Sequence, residues 1–383
     1  MSVHQIKLEE IYDKNINLLI GSGASYGLFP TLAVSMKDGD ISHTIETIAT
    51  KIEQSNSPYK LRLKALLFMH YYQTCIKPIA QLNLDTLKAS ELAVIDNYDK
   101  FLKTILAIIS KRKSSDKRCN LFTTNYDGCF ALTADRLLKQ AKTEFVINDG
   151  SRGFRTKFLQ AKNFNSYLRQ TGVFSIQHND IPQINLIHLH GSVYWSKQDE
   201  SIVVDYSAAI TSTLAIDEIA LKPFTDLLNN EDTEFDTLEV YASLLDGNFD
   251  DAATQFLEQY NQLPIVNPTK WKFYETVFEE HYYQMLRAMS YELEKPNTVF
   301  ITFGFSFADE HILNLVRRSL SNPSLQLFVC CYNTINVDAM QAKFNGHDNV
   351  QFITSETDNL DFDKFNLQTF SLTPQPDKAE GGV

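Results

Sequence analysis

Short apolar runs that stop abruptly at small or polar residues recur along this chain, separated by long stretches in which apolar residues return every three or four positions. The first run is Asn15-Ile-Asn-Leu-Leu-Ile20, closed by Gly21-Ser-Gly-Ala-Ser25. Cys119–Thr124 breaks at Asn125-Tyr-Asp-Gly128, and Ile184–Leu189 ends at His190-Gly-Ser192. Thr298–Phe303 ends at Gly304, and Leu325–Cys331 and Asn349–Thr354 complete the set. Runs of this length bounded by turn formers predict strands buried on both faces. Helical periodicity dominates 35–115 and 205–295. It is clearest over Ala89–Lys113, where Leu92, Ile95, Tyr98, Leu102, Ile105 and Ile109 share one face. A helix is predicted to follow Gly128 as far as Gln140. The stretch 148–180 reads as irregular, with a turn cluster at Asn148-Asp-Gly-Ser-Arg-Gly153.

Buried strands alternating with helices predict an α/β fold: a doubly wound, Rossmann-like parallel sheet with a largely helical inserted domain. The expected core spans 12–34, 116–204 and 296–372. The segments 35–115 and 205–295 are expected to be helical insertions forming a smaller domain or an assembly surface, and 373–383 a disordered tail. In an open parallel sheet the ligand crevice lies outside the carboxyl ends of the strands. The clusters of Gly, Ser, Asn and His fall at those ends, which points to a nucleotide site.

Charge narrows the choice of partner. The 383 residues carry 35 Lys and Arg against 47 Asp and Glu, a net charge of −12. Phosphate clamping needs clustered cations, so direct nucleic-acid binding by this chain is not expected. Lys111, Arg112, Lys113, Lys117 and Arg118 form one basic cluster, expected to be a solvated helix end. The five cysteines are an odd number with no Cys-x-x-Cys pair, which argues against a disulfide framework and a four-cysteine zinc site. No apolar run approaches the length of a membrane span, and the first ten residues lack the basic start and apolar stretch of a secretory signal. A cytoplasmic protein without membrane contact is the expectation.

The strand-end clusters carry the candidate chemistry. Gly21-Ser-Gly-Ala-Ser25 follows a strand and is expected to open a helix, its glycines letting backbone N–H groups approach a pyrophosphate; a plain tight turn fits it as well. No Lys follows the loop, so it is not a Walker A motif. Asn125 and Asp127, two residues apart, suit a shared water or an amide-bearing ligand, and equally an Asx turn capping the next helix. His188 and His190 are expected on one face of an alternating strand. His190, at the crevice, suits proton transfer, and a hydrogen-bonded core histidine is the alternative. Gly304 and Ser306 would face a phosphate or ribose. Asp309 fits either the same site or a helix N-cap.

Taken in order, these motifs resemble the sirtuin-like (silent information regulator 2) NAD-binding family. Gly21-Ser-Gly-Ala-Ser25 is similar to that family's Gly-Ala-Gly-x-Ser loop, with Pro30 where its Gly-Ile-Pro proline stands. Thr123-Thr-Asn-Tyr-Asp127 resembles Thr-Gln-Asn-Ile-Asp, His190-Gly-Ser192 resembles His-Gly-Ser, and Gly304-Phe-Ser-Phe307 resembles Gly-Thr-Ser-Leu. Two departures stand out. Thr31-Leu-Ala33 replaces the deacylase Asp-Phe-Arg, and no cysteine lies between 129 and 330, so the deacylase zinc ribbon is missing. The resemblance therefore implies NAD as substrate, no zinc, and cleavage of the nicotinamide–ribose bond rather than lysine deacylation. It implies that Asn125 holds the ribose or attacking water, that His190 is the base, and that Asp127 orients the nicotinamide amide. Gly21, Ser22, Gly23, Ala24, Ser25, Thr124, Gly304, Ser306 and Asp309 would surround the rest of the dinucleotide. Gly304–Ile312, and Ile265-Val-Asn-Pro268 followed by Lys270, resemble the bacterial antiphage branch, whose members hydrolyse NAD. The length is similar to the member paired with a HerA-type hexameric ATPase, which implies a homo-oligomeric ring and that ATPase as partner.

Overall fold

The computed structural model describes residues 5–39, 41–112, 117–140, 144–171, 178–209, 214–266, 276–355 and 358–372. Seven strands form one parallel sheet: β1 (Asn15–Ile20), β2 (Arg118–Thr123), β3 (Val146–Asn148), β4 (Gln183–His188), β5 (Thr298–Phe303), β6 (Leu325–Cys330) and β7 (Val350–Ile353). Their spatial order is β7-β6-β5-β1-β2-β4-β3. The chain builds outward from β1 through β2 and then crosses to β5 on the other side of β1. The order therefore reverses between β1 and β5, where a crevice opens beyond the strand ends.

The central strands form because most of their residues are apolar on both faces. Leu18, Leu19 and Ile20 are fully buried, as are Val299, Phe300 and Ile301. Each such side chain contributes about 1.5–3 kcal/mol by leaving water. One face packs with the helices Ile45–Gln54, Lys60–Tyr71, Ala89–Ser110 and Cys129–Gln140, and with Glu218–Leu228, Phe235–Leu244 and Asn248–Tyr260, in one continuous apolar cluster. The other face is covered by Thr276–Leu293, Glu310–Ser319 and Thr334–Lys343 and by a small antiparallel sheet built from 151–152, 158–159, 195–198 and 201–204. Helices on both faces make the fold doubly wound, as the pattern predicts.

Register across the sheet centre is held by amides. Asn17, Asn120, Asn185 and Asn148 lie opposite one another on β1, β2, β4 and β3. Asn120 Nδ2 donates to Asn17 Oδ1 at 2.9 Å, Asn185 Nδ2 to Asn120 Oδ1 at 2.8 Å, and Asn148 Nδ2 to Asn185 Oδ1 at 3.1 Å. A slip of one residue would orphan every rung in the interior.

Several expectations need correcting. Strand β3 went unread because three half-buried residues leave no apolar run. The stretch expected to be helical from 35 starts instead with an antiparallel hairpin, Ala33–Asp38 with Ile41–Thr44. Leu92 is exposed, while Ile95, Tyr98, Leu102, Ile105 and Ile109 are buried as expected and are joined by Phe101 and Leu106. The basic cluster is a solvated helix end only in part: Lys111, at the end of Ala89–Ser110, is exposed. Arg112 is buried and donates to the Ile11 and Lys14 carbonyls, both at 2.7 Å, and Arg118 pairs with Glu292 at 3.1 Å. Lys113 and the tail 373–383 lie outside the described residues. Among the described residues no helix is long and apolar enough to cross a membrane.

Candidate active site

The loops leaving β1 and β5 meet at the reversal point. After Gly21 the chain makes only a short 3₁₀ turn, Ser22–Ser25, then runs on to Pro30 and the hairpin. The expected helix after the glycine loop does not form, so no helix dipole points into the crevice from here. The N–H groups of Gly21, Gly23 and Ala24 bond the carbonyls of Phe303, Gly304 and Gly21 at 3.0, 3.0 and 3.1 Å. A Cβ on Gly21 would lie 2.4 Å from the Gly304 oxygen, and one on Gly304, at φ +64°, 2.7 Å from the Ala24 nitrogen. Gly21, Gly23 and Ala24 thus serve the contact between loops, and their N–H groups are engaged within the protein rather than offered to a pyrophosphate. Ser22, Gly304 and Ser306 line the crevice, as do Ser25, Thr124, Asn125 and Asp127.

Three buried polar residues that line it, Ser25, Asn125 and Asp127, are bonded to one another or to the Tyr98 hydroxyl behind them. Ser25 Oγ donates to Asp127 Oδ2 at 2.7 Å and lies 2.6 Å from the Tyr98 hydroxyl. A serine has one proton, so Tyr98 donates to Ser25. Asn125 Nδ2 donates to Ser25 Oγ at 3.2 Å and to the Tyr98 oxygen at 3.4 Å. This set of donors fixes which way the Asn125 amide faces. Its Oδ1 is buried without a partner. An orphaned buried acceptor costs about 1–3 kcal/mol, so it marks a place where an O–H or N–H from outside the protein belongs. Asp127 Oδ1 accepts the Cys129 N–H at 3.0 Å. It therefore caps the helix Cys129–Gln140 and anchors Ser25, with each carboxylate oxygen engaged. Tyr98 is pushed to a higher pKa by burial and by the Asp127 charge, so it stays a neutral donor.

His190 also lines the crevice, with its Nε2 3.0 Å from Asp309 Oδ2. The other Asp309 oxygen caps Glu310–Ser319 through the His311 and Ile312 N–H groups at 2.8 and 3.1 Å. Asp309 is thus both the helix cap and a partner of the base. Burial raises its pKa, but the bond and charge of His190 and the two helix N–H groups more than offset this and leave it below its ordinary value. An ionised carboxylate only accepts, so Nε2 carries the proton and Nδ1 is the basic nitrogen of the neutral ring.

His188 does not share these surroundings, contrary to the one-face expectation. The strand ends at His188, and the chain bends before His190. His188 is buried, with Nδ1 3.1 Å from the Asn125 carbonyl and its ring edge-on to Trp195. Burial lowers its pKa. Gly191, at φ +86°, lets Pro264–Val266 cross close by, and the Val266 N–H donates to the His190 carbonyl at 2.9 Å. Of the segment Ile265–Pro268 with Lys270, only Ile265 and Val266 are described.

The crevice occupies about 900 Å³, counting the part open to solvent. Its outer wall was not legible as such: Glu46, Tyr71, Cys75 and Ile79 come from the helical segment. Tyr71, Cys75 and Ile79 lie on or beside a π-helical turn, Tyr72–Ile76, a distortion frequent at functional sites. Burial raises the Cys75 thiol to about 11, so it is no nucleophile at neutral pH. Tyr98 was also missed as a site residue. It reads as one more apolar position in a helical stripe, and nothing local betrays its hydroxyl contact. Among the described residues no group of three or more His, Cys, Asp or Glu is placed to hold a metal.

Comparison with protein families matches the SIR2-like domain to residues 120–353, more than half of the chain. That span holds Asn125, Asp127, His190, Gly304, Ser306 and Asp309; the glycine loop after β1 lies outside it. No curated protein matches the chain.

Proposed function

The chain belongs to the SIR2-like domain family, and from that premise we propose that it is an NAD⁺ glycohydrolase, releasing nicotinamide and ADP-ribose. The observation that carries this reading is the orphaned Oδ1 of Asn125, whose Nδ2 is held by Ser25 and Tyr98, in a crevice that also holds His190 paired with Asp309. A pure binding site has no need of a base with an ionised partner.

The chemistry asks little acid catalysis of the protein. When the C1′–N bond breaks, its electron pair neutralises the cationic pyridinium, and nicotinamide leaves uncharged. Positive charge then develops on the ribose, as in other glycosyl transfers. Asn125 Oδ1 accepts a hydrogen bond from the attacking water or a ribose hydroxyl and fixes its position. His190 Nδ1 takes the proton as the water oxygen bonds C1′. Asp309 holds the ring and stabilises the imidazolium that forms. Asp127 acts through Ser25, and its contact with the nicotinamide amide remains part of the proposal. The hydroxyls of Ser22, Thr124 and Ser306 are offered to the phosphates and ribose.

Beyond the reaction, the resemblance at Gly304–Ile312 supports a role as an effector of bacterial antiphage defence by NAD depletion, acting as a ring with a HerA-type ATPase. The test is nicotinamide release from NAD⁺ by the purified chain, alone and with that ATPase, beside His190→Ala. Cleavage lost in the variant supports the enzyme. NAD⁺ binding without cleavage under every condition replaces it with a sensor whose partner carries the activity.

A further inference from the structure

Lys343 lies at the end of the helix Thr334–Lys343, outside the crevice, yet its Nζ donates to the carbonyls of both Ser306 and Phe307 at 2.8 Å. Burial and the neighbouring Arg317 charge both lower its pKa, so this is an unfavourable place for an ammonium. Its two bonds to carbonyls offset that cost.

The loop it grips is strained. Gly304 has φ +64° and Phe307 φ +53°, the latter a bulky side chain in the left-handed region. Phe307 is buried, edge-on to Phe305 and to Phe344, each with ring centroids 4.9 Å apart. Two consecutive residues, Lys343 and Phe344, therefore hold one turn, the first through its carbonyls and the second through its ring. Conformations of this kind persist where the surroundings over-determine them. Two residues further on, the turn delivers Asp309 to His190.

We propose that Lys343 is a positioning residue: by holding the Ser306 and Phe307 carbonyls it keeps the turn on the path that places Asp309 against His190. The proposal rests on reading His190 as the base of NAD⁺ cleavage. Removing the grip lets the turn relax, and Asp309 loses register with the imidazole.

The test has two readouts on the full chain, with Lys343→Met, Asp309→Asn and the double variant. The first is the ¹⁵N spectrum of histidine-labelled protein, in which the His190 nitrogens are assigned by their absence in His190→Ala. Lys343→Met is expected to displace them in the same direction as Asp309→Asn. The second is kinetics: kcat falls roughly tenfold, no further than in Asp309→Asn, as for a misplaced catalytic group, while Kd for NAD⁺ changes little. The double variant is no slower than Asp309→Asn alone. His190 signals that stay at their wild-type positions overturn the proposal, as do losses that add in the double variant. If the wild-type chain releases no nicotinamide, the cleavage reading falls, and the spectra still decide the role of Lys343. Should Lys343→Met not fold, Lys343→Gln takes its place. With one amide to offer, it is expected to give an intermediate displacement, and an unchanged spectrum overturns the proposal.

Discussion

Asn120 and Asn125 are five residues apart on either side of the end of β2, both buried, and their amides are treated in opposite ways. Asn120, at the sheet centre, donates to Asn17 and accepts from Asn185, so both ends of its amide are satisfied. Asn125, at the crevice, has its nitrogen held and its oxygen orphaned. The first arrangement specifies register, and the second leaves a fixed acceptor for something that is not protein. The two histidines differ in setting rather than in satisfaction, since His188 Nε2 is itself buried without a partner. His188 is buried against a carbonyl and Trp195, while His190 faces the crevice beside an ionised carboxylate.

If the contrast holds, the two asparagines separate function from stability. Asn125→Ala and His190→Ala are expected to reduce nicotinamide release by roughly 10²–10⁴-fold or more, the range of a lost acid–base group, with an unchanged thermal midpoint. Full activity in either variant breaks the comparison on the crevice side. Asn120→Leu leaves Asn17 Oδ1 without a partner and Asn185 Nδ2 with only the Phe164 carbonyl, and is expected to cost about 1–3 kcal/mol. Urea unfolding measures that loss, and kcat per folded molecule should be unchanged. An Asn120→Leu protein as stable as wild type would show that the ladder is dispensable.

Acid sharpens the comparison further. Burial lowers His70 and His281 to about 4, the latter helped by His188, which burial also lowers. The unfolded chain takes up these protons near pH 6.5, and the folded chain resists until about 4. Stability is therefore expected to fall as pH drops from about 6.5 to 4 and should be followed by urea midpoints across that range. Asp38, held to about 2 chiefly by its hydrogen bond from Lys51, acts in a separate window, losing its contribution only below about pH 4. A urea midpoint that stays level from pH 6.5 to 4 would mean that these histidines are not closed off as described. The smallest effect is expected of Asp309→Asn, which keeps the cap but weakens the hold on His190: roughly a tenfold lower kcat at similar KM, measured by initial rates.

Much of the fold was legible because a strand buried on both faces has no choice but to be an apolar run. β1, β2, β4, β5 and β6 all carry that mark, and each motif with chemistry stands at the carboxyl end of one of them; β7 is only partly buried and reads from Val350, Phe352 and Ile353. β3, with three half-buried residues, does not carry it. The crevice was only partly legible. Nothing near Asp309 in the chain says that it meets His190, 119 residues away. Tyr98 sits in a regular apolar stripe, so its hydroxyl contact with Ser25 is silent in sequence. The glycines of the first loop suggested an approach to phosphate, whereas their lack of a Cβ is used against the Gly304 backbone.

The division follows the range of the forces. Periodicity, turn formers and the need to bury apolar surface act within a dozen residues, so the amino-acid order by itself determined the strands, most helices, the parallel α/β class and the points where the crevice opens. Which polar atom ends against which is settled when segments a hundred residues apart close on one another. Only the tertiary structure therefore decided that Asn125 keeps a free oxygen, that Asp309 holds His190, and that a helical segment walls the site.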